Sequence, residues 1–195
     1  DATVGDSAPG PSQVEEARTL KIVLAINASM FVGEAFGAVL ADSSALLADS
    51  LDMFADAVVY GLALFGVHRA RATQLKAARL SGVLQLMLAA GALAEVVRRL
   101  VFGSGPEAPL MVVVAAAALT ANATSMWLLA RHRQGGAHMR ASWIFTTNDV
   151  IANLGVIVAA GLVRLLGSNV PDLVVATGIA LIVLNGAIRI LRLKA

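Results

Sequence analysis

Cysteine is absent from the 195-residue chain. Disulfides, thiolate metal sites and cysteine nucleophiles are therefore excluded, and any metal must be bound by oxygen or imidazole ligands. Charged residues make up only 14% of the chain and aromatic residues 5%. Because a soluble domain carries about 25% charged residues, this composition excludes an ordinary soluble protein. No phosphate-binding glycine loop or hydrolase triad is present, so the sequence predicts neither an enzyme nor a prosthetic group.

Hydrophobic residues are abundant, at 58% of the chain. They form six apolar stretches, each near the ~20 residues that cross a bilayer, at 18–40, 45–68, 77–100, 109–131, 141–165 and 171–191. Turn-forming clusters at 103–109 and 167–171 separate two pairs of them. The sequence predicts an all-α, polytopic membrane protein with a six-helix transmembrane domain over residues 18–195. A polar, disordered tail at 1–17 and no soluble C-terminal domain are also expected.

Basic residues collect in the loops on one side of the predicted spans. They are Arg69, Arg71, Lys76, Arg79, Arg131, Arg133, Arg140, Arg189, Arg192 and Lys194. The positive-inside rule therefore predicts that both termini are cytoplasmic. The runs are short, juxtamembrane and free of interleaved aromatics, which favours a topology signal over a nucleic-acid or lipid-headgroup patch. The expected location is a bacterial inner membrane, crossed several times.

Aspartates interrupt two of the apolar spans. Asp49, Asp52 and Asp56 follow each other at helical spacing, so they share one face of span 2. Span 5 contains Asp149, preceded by Asn148. Asp56 and Asp149 lie about 18 and 13 Å from the cytoplasmic ends of their spans at 1.5 Å per residue, so they can meet at similar depth. Acids inside a membrane mark functional sites by default.

Buried carboxylates must share protons or a cation, since they cannot all remain charged and alone. A divalent metal bound by Asp52, Asp56 and Asp149 would resolve this repulsion. Once the metal leaves, the same carboxylates would take up protons, and this competition is the physical basis of an antiporter. Pairing with basic residues inside the bundle is the plainer alternative, but no Lys or Arg lies in the middle of a span. His68, His132 and His138 are all at the cytoplasmic edge.

Other polar residues in the spans give weaker signals. Glu95 has Arg98 and Arg99 at i+3 and i+4, which predicts an ordinary helix pair. Glu34 has no such partner, which leaves a place in an outer cavity open. Asn27 and Asn122 are expected to hydrogen-bond across helices, and Gly33 and Gly37 form a small-xxx-small pair suited to close packing.

Several segments resemble the cation diffusion facilitator family. They are Gly33-Glu34, the run Asp42-Ser43-Ser44-Ala45-Leu46-Leu47-Ala48-Asp49-Ser50-Leu51-Asp52-Met53-Phe54-Ala55-Asp56, Glu95–Leu100, Met139–Trp143 leading to Asp149, and Gly155–Ala159. The resemblance implies export of divalent metal, usually zinc, from the cytoplasm in exchange for protons. It also implies a homodimer, which without the family's C-terminal domain is expected to rest on contacts between membrane helices. The family's central site takes two ligands from span 2, matching Asp52 and Asp56, and two from span 5, one of which matches Asp149.

Two departures from the family pattern change these expectations. The second span 5 ligand falls on Phe145, which cannot bind metal, so Asn148, the Thr146 hydroxyl or water must complete the site. We expect Asn148, although it is about 100° around the helix from Asp149. An all-oxygen site weakens strict zinc selectivity and favours tolerance of manganese or iron. The expected cargo is thus zinc or a related divalent cation such as manganese, iron or cadmium. The family's cytoplasmic C-terminal domain is not part of the sequence.

Two other functions stay open at this point. A membrane acid such as Glu34 or Asp56 could exchange protons for a small cationic molecule, although the low aromatic content argues against the pocket that this requires. A bundle that keeps the family's shape as a non-transporting scaffold is the other alternative. The presence of Asp52, Asp56 and Asp149 together argues against it.

Overall fold

The computed structural model describes residues 11–66, 71–131 and 137–192. Six helices account for nearly all of these residues: α1 (Pro11–Leu40), α2 (Ser44–Gly66), α3 (Arg71–Phe102), α4 (Ala108–Ala130), α5 (Ala137–Leu166) and α6 (Val170–Leu191). No strand occurs in this described part of the chain. The all-α fold class predicted from the apolar stretches is thereby confirmed.

Three helices that follow the short turns begin close to the residue predicted from the sequence, whereas the other three begin earlier than predicted. Helices α2, α4 and α6 begin one residue before the predicted spans. Helix α1 begins at Pro11 and so includes residues 11–17, which the sequence assigned to a disordered tail. Proline is favoured at the first helical position, and helical hydrogen bonding does not stop where the apolar stretch stops. Residues 1–10 lie outside the described ranges.

Five of the six helices are long and apolar enough to cross a membrane: α1, α3, α4, α5 and α6. Helix α2 has sufficient length at 23 residues. Its three aspartates, however, fall together in every 18-residue window of the helix, so no such window has as few charged residues as the spans of the other five helices. The acids that point to function thus explain why α2 differs, and its crossing of the membrane stays a prediction.

The bundle is polar inside and apolar outside. Asn27, Glu34, Asp49, Asn122 and Asn153 are fully buried. Large hydrophobic side chains instead cover the outer surface, among them Val32, Phe36, Val39, Leu100, Val113 and Leu165. Alanine dominates the buried hydrophobic cluster, as expected where helices approach closely without a hydrophobic driving force between them. This inverted distribution is that of a protein surrounded by lipid.

Three short turns lie together at one end of the bundle, which we call the outer end: residues 41–43, 103–107 and 167–169. Gly103 and Gly167 follow helices α3 and α5 with φ of 82° and 59°, the left-handed backbone that suits glycine after a helix. Both predicted turn clusters are confirmed. At the opposite end, Arg69, Arg133 and Lys194 lie outside the described residues, as do His68 and His132. The orientation with cytoplasmic termini stays a prediction.

Candidate metal-binding site

A cavity of about 70 Å³ lies between α2, α3, α5 and α6. Its lining residues are Asp52, Asp56, Gln85, Asn148, Ile182, Val183 and Gly186. Asp52 and Asp56 reach it together because residues four apart stack on one face of a helix. A single water needs only about 10–15 Å³ of such space, so the cavity has room for an ion with part of its hydration shell.

Asp149 lies beside this cavity without being one of its lining residues. Its side chain is fully buried, and neither carboxylate oxygen has a hydrogen-bond partner among the described residues. It is close enough to Asp52, Asp56 and Asp49 for their charges to interact. The predicted trio of Asp52, Asp56 and Asp149 is therefore brought into one region of the bundle.

The acids are not arranged as a formed coordination shell. Within the described residues, no three Asp, Glu or His side chains converge closely enough to hold a metal ion together. Asp52 and Asp56 share the cavity, whereas Asp149 is on α5 outside its lining. Joint coordination would require α2 and α5 to bring these carboxylates closer.

Asn148, the fourth predicted ligand, is one of the residues that line the cavity. It is half-buried and lines the cavity with Asp52 and Asp56, and it also lines a neighbouring groove with Asp52. The 100° turn of the helix that separates Asn148 from Asp149 directs Asn148, rather than Asp149, towards this space. Thr146 is buried and is not part of the lining. The side chain of Phe145 lies outside the described part of the structure.

A chain of amide groups crosses three helices next to the acids. The Nδ2 atom of Asn122 on α4 donates to Asn153 Oδ1 on α5 over 3.1 Å. The Nδ2 atom of Asn153 in turn donates to the Asp49 carboxylate on α2. The predicted cross-helix bond of Asn122 is confirmed. For Asn27, no side-chain hydrogen bond is present among the described residues.

Glu34 belongs to this buried region and not to an outer cavity. Its side chain has no exposed surface. It lies near enough to Asp49 and Asp149 for the carboxyl groups to interact, although no described donor provides either Glu34 oxygen with a hydrogen bond of good geometry. The outer-cavity position left open for Glu34 is therefore wrong. Five acids, from α1, α2 and α5, thus lie in one region of the bundle.

The ion pairs of the described residues lie at the outer end, away from these acids. Glu95 pairs with Arg98 and Arg99, each over 2.6 Å, which confirms the predicted helix pair. Arg99 also pairs with Asp42 over 2.8 Å. Asp52, Asp56 and Asp149 have no Lys or Arg partner among the described side chains. The alternative of internal charge neutralisation is thus not supported.

Comparisons with known proteins relate the chain to transporters of metal cations. Residues 20–194 match the family model of the cation efflux transmembrane domain. The metal cation efflux system protein CzcD of Cupriavidus metallidurans is 29% identical over 182 residues, which cover 86% of this chain and 57% of the relative. The zinc transporter ZitB of Yersinia pseudotuberculosis is 27% identical over 195 residues, covering 93% of this chain and 62% of the relative. ZitB of Escherichia coli is 27% identical over 190 residues, covering 90% and 60%.

The chain belongs to the cation efflux family. The resemblance to cation diffusion facilitators is thereby confirmed. These relatives are named as transport proteins and not as enzymes, which supports the non-enzymatic assignment. Their bacterial origin and the apolar helices identify the chain as a multi-pass protein of the bacterial inner membrane. The chain spans about 60% of the length of the curated relatives that it matches.

Two residues of this cation efflux domain were missed by the sequence analysis. Gln85 lines the cavity from α3, and the signal available was a lone amide within the apolar run of span 3. Asp172 is fully buried in the first turn of α6. An acid after the proline of a helix start is common, so its sequence context alone indicated only an ordinary helix beginning.

Proposed function

We propose that the protein exports a divalent metal cation from the cytoplasm in exchange for protons. Asp52, Asp56 and Asp149, with Asn148, are the proposed metal ligands, and the bilayer is the setting of transport. Zinc is the first candidate cargo because relatives of the chain are named zinc transporters.

The observation that carries the proposal is the shared lining of one cavity. Two carboxylates and one amide from two helices, Asp52, Asp56 and Asn148, surround a space large enough for an ion. The unpartnered carboxylate of Asp149 is close by. Because carboxylates buried without cations are costly, a transient cation or bound protons would stabilise this arrangement.

The donor set favours a cargo that accepts oxygen ligands. All four proposed ligands present oxygen, and oxygen donors suit Mn²⁺ and related hard ions better than a thiolate set would. Zinc also accepts carboxylate ligands at about 2.0–2.2 Å. We therefore expect the site to transport zinc with tolerance of manganese and iron.

Proton exchange follows from the same carboxylates. A divalent ion neutralises the repulsion between Asp52, Asp56 and Asp149. When the ion departs, protons must replace its charge because several unpaired carboxylates cannot remain ionised together in a low-dielectric interior. Metal and protons then alternate at one site.

Transport into proteoliposomes tests the proposal. Vesicles with an acidic interior receive Zn²⁺, Mn²⁺, Fe²⁺ or Cd²⁺ outside, and metal uptake and internal pH are recorded together. We expect uptake with a rise in internal pH, and its loss in Asp52→Asn and Asp149→Asn. Glu107→Gln removes an exposed carboxylate from an outer-end turn and is the matched control. Absence of both metal binding and uptake in the unaltered protein would overturn the proposal.

A second candidate is export of a small organic cation. A groove of about 310 Å³ extends from Asp52 and Asn148 along apolar residues of α5 and α6, including Ile151, Val175 and Ile182. This volume is at the lower limit of small-molecule sites, which begin near 300 Å³. Uptake of a tetraalkylammonium probe that depends on Asp52, without metal uptake, would favour this function.

Homodimerisation through the membrane helices belongs to the proposal as well. Large exposed hydrophobic side chains, such as Phe36, Leu100 and Leu165, provide surface for lipid or for a second copy. Mass measurement of the protein in lipid nanodiscs would distinguish a monomer from a dimer.

A further inference from the structure

Asp172 attaches the first turn of α6 to the first turn of α2. Its Oδ2 atom accepts a hydrogen bond from the Ser44 backbone N–H over 2.7 Å, and its Oδ1 atom accepts one from the Ala45 N–H over 3.1 Å. The Ser43 hydroxyl donates to Oδ1 over 2.6 Å. Asp172 is fully buried, and no Lys or Arg among the described residues pairs with it.

These bonds satisfy the free N–H groups at the start of α2. The Leu46 N–H donates to Ser43 Oγ over 3.1 Å, and the Leu47 N–H donates to the Ser43 carbonyl over 3.3 Å as the first turn closes. The first turn of a helix normally leaves its N–H groups without intrahelical partners. Here a carboxylate from another helix accepts two of them, and the positive end of the α2 dipole stabilises its charge.

We propose that Asp172 is a positioning residue for metal transport: by fixing the start of α2 on α6, it sets the depth and rotation of Asp52 and Asp56 in the cavity. Helices α2 and α6 both run from the outer end towards the opposite end, so equal distances from this junction correspond to equal depth. From Ser44 to Asp52 the helix rises about 12 Å, and from Asp172 to Ile182 about 15 Å. Asp52 and Ile182 line the same cavity.

A carboxylate that accepts hydrogen bonds at both oxygens fixes the orientation of α2 more completely than a single hydrogen bond would. The Ser44 and Ala45 N–H groups lie at positions about 100° apart around the helix axis, so accepting from both fixes the rotation of α2 as well as its height. A rotation at Ser44 would carry Asp52 and Asp56 away from Asn148, because a helix transmits rotation along its length. The effect on the metal acts through α2, since Asp172 does not line the cavity.

The absence of cysteine makes the geometry directly measurable. Cysteines introduced at Val58 on α2 and Leu181 on α6, neither of which lines the cavity, accept spin labels for a distance measurement between the two helices. The full chain is reconstituted in lipid with no substitution at Asp172 or with Asp172→Asn. Asparagine keeps the shape of the aspartate side chain and one acceptor oxygen. Its NH₂ group, however, replaces the second acceptor and faces a backbone N–H, which is also a donor. We expect a shifted or broadened distance distribution in this variant.

Metal uptake gives a second measurement, which depends on the proposed function. We expect Asp172→Asn to raise the KM for Zn²⁺ about tenfold with a smaller change in maximal rate, as is typical when a residue that orients metal ligands is lost. Asn169→Ala is the matched control. It removes a 2.9 Å bond to Ser104 at the same end of α6 without touching α2, so distance and KM should remain unchanged.

A merely structural cap would give a different result. Thermal unfolding at lower temperature, with the α2–α6 distance and KM unchanged, would overturn the positioning role. If the unaltered protein transports no metal, the proposed function fails, but the distance measurement still decides whether Asp172 positions α2. Should Asp172→Asn not fold, Ser43→Ala removes the Ser43 bond to Asp172, together with the bond that Ser43 Oγ accepts from the Leu46 N–H. It is expected to change the distance in the same direction by a smaller amount.

Discussion

The side-chain amide of Asn153 donates a hydrogen bond to the carboxylate of Asp49. This bond gives Asp49 a different environment from that of the two aspartates that follow it on α2. Asp49, Asp52 and Asp56 share one helical face, yet only Asp52 and Asp56 line the cavity. Asp49 instead belongs to the amide chain that crosses to α5 and α4 through Asn153 and Asn122. One face of α2 thus contains a structural acid and two candidate ligands.

Removal of the Asn153 amide should destabilise the bundle. In Asn153→Ala, the buried Asp49 carboxylate loses its donor, and an unsatisfied buried polar group costs about 1–3 kcal/mol. The free energy of unfolding, measured by denaturant titration in detergent micelles, should fall by this amount.

The double variant Asp49→Asn/Asn153→Ala provides the control for that loss. Because a neutral side chain at position 49 needs the donor less, the two substitutions should cost less together than the sum of their separate effects. Additive losses would show that Asn153 stabilises the bundle by packing and not through Asp49.

Substitution at Asn148 tests which side chain completes the proposed metal site. Asn148→Ala removes an oxygen from the cavity and should weaken metal binding about tenfold or more, the order of loss seen when metal-site partners are removed. Asn148→Asp restores an oxygen donor and should bind metal at least as well as the unaltered protein. Metal affinity is measured by isothermal titration calorimetry on the purified protein.

Substitutions at two neighbours of Asn148 distinguish loss of a metal ligand from other effects on α5. Thr147→Ala is the control, since the Thr147 hydroxyl donates to the Trp143 carbonyl of its own helix over 2.7 Å. Thr146→Ala tests the competing ligand. Unchanged affinity in Asn148→Ala together with lost affinity in Thr146→Ala would assign the fourth position to the Thr146 hydroxyl.

Arg98 and Arg99 form a natural comparison because both pair with Glu95. The Arg98 side chain is 54% exposed, whereas that of Arg99 is 7% exposed and also contacts Asp42 in the α1–α2 turn. Arg98→Ala should change the free energy of unfolding little, since exposed ion pairs contribute little. Arg99→Ala should cost about 1–3 kcal/mol more because Glu95 and the turn lose a charged donor. Equal losses in chemical unfolding of the two variants would contradict this difference.

The sequence was sufficient to predict the six helices and the acidic region because both depend on local patterns. Apolar length defines a span, and the spacing of Asp49, Asp52 and Asp56 defines a face. Glu95 with its two arginines was equally predictable, since all three residues lie on one helix. Such features need no knowledge of which helices become neighbours.

Contacts between distant parts of the chain were beyond prediction for the opposite reason. The Asp172 bonds to Ser43 and Ser44 join residues more than 120 positions apart, and their formation depends on how α6 packs beside α2. Glu34 was misplaced because its complete burial depends on which helices pack against α1, and this cannot be inferred from α1 alone. The position of Asn148 was predicted from its angle to Asp149 on the same helix, whereas the acids that share the cavity with it are Asp52 and Asp56 on α2.

Gly33 and Gly37 were predicted as a pair for close packing, but the structure gives them different surroundings. A Cβ atom at position 37 would lie 2.7 Å from Val114 Cγ2 and 2.8 Å from its Cγ1, whereas a Cβ at position 33 would meet nothing within 4 Å. Gly37→Ala should therefore separate α1 from α4 and cost about 1–3 kcal/mol, as overpacking does. Gly33→Ala is the control and should be neutral or stabilising, since alanine exceeds glycine in helix propensity by about 1 kcal/mol.

Relief of the clash identifies its cause. Val114→Ala removes both methyl groups that the new Cβ would meet, so Gly37→Ala/Val114→Ala should be more stable than Gly37→Ala alone when the three variants are unfolded in the same detergent. The two substitutions would then be coupled with a favourable sign, as expected for residues in direct contact. If the double variant is instead less stable than Gly37→Ala, a clash with Val114 does not cause the destabilisation by Gly37→Ala. Glycine at position 37 would then be required for a reason other than its contact with Val114.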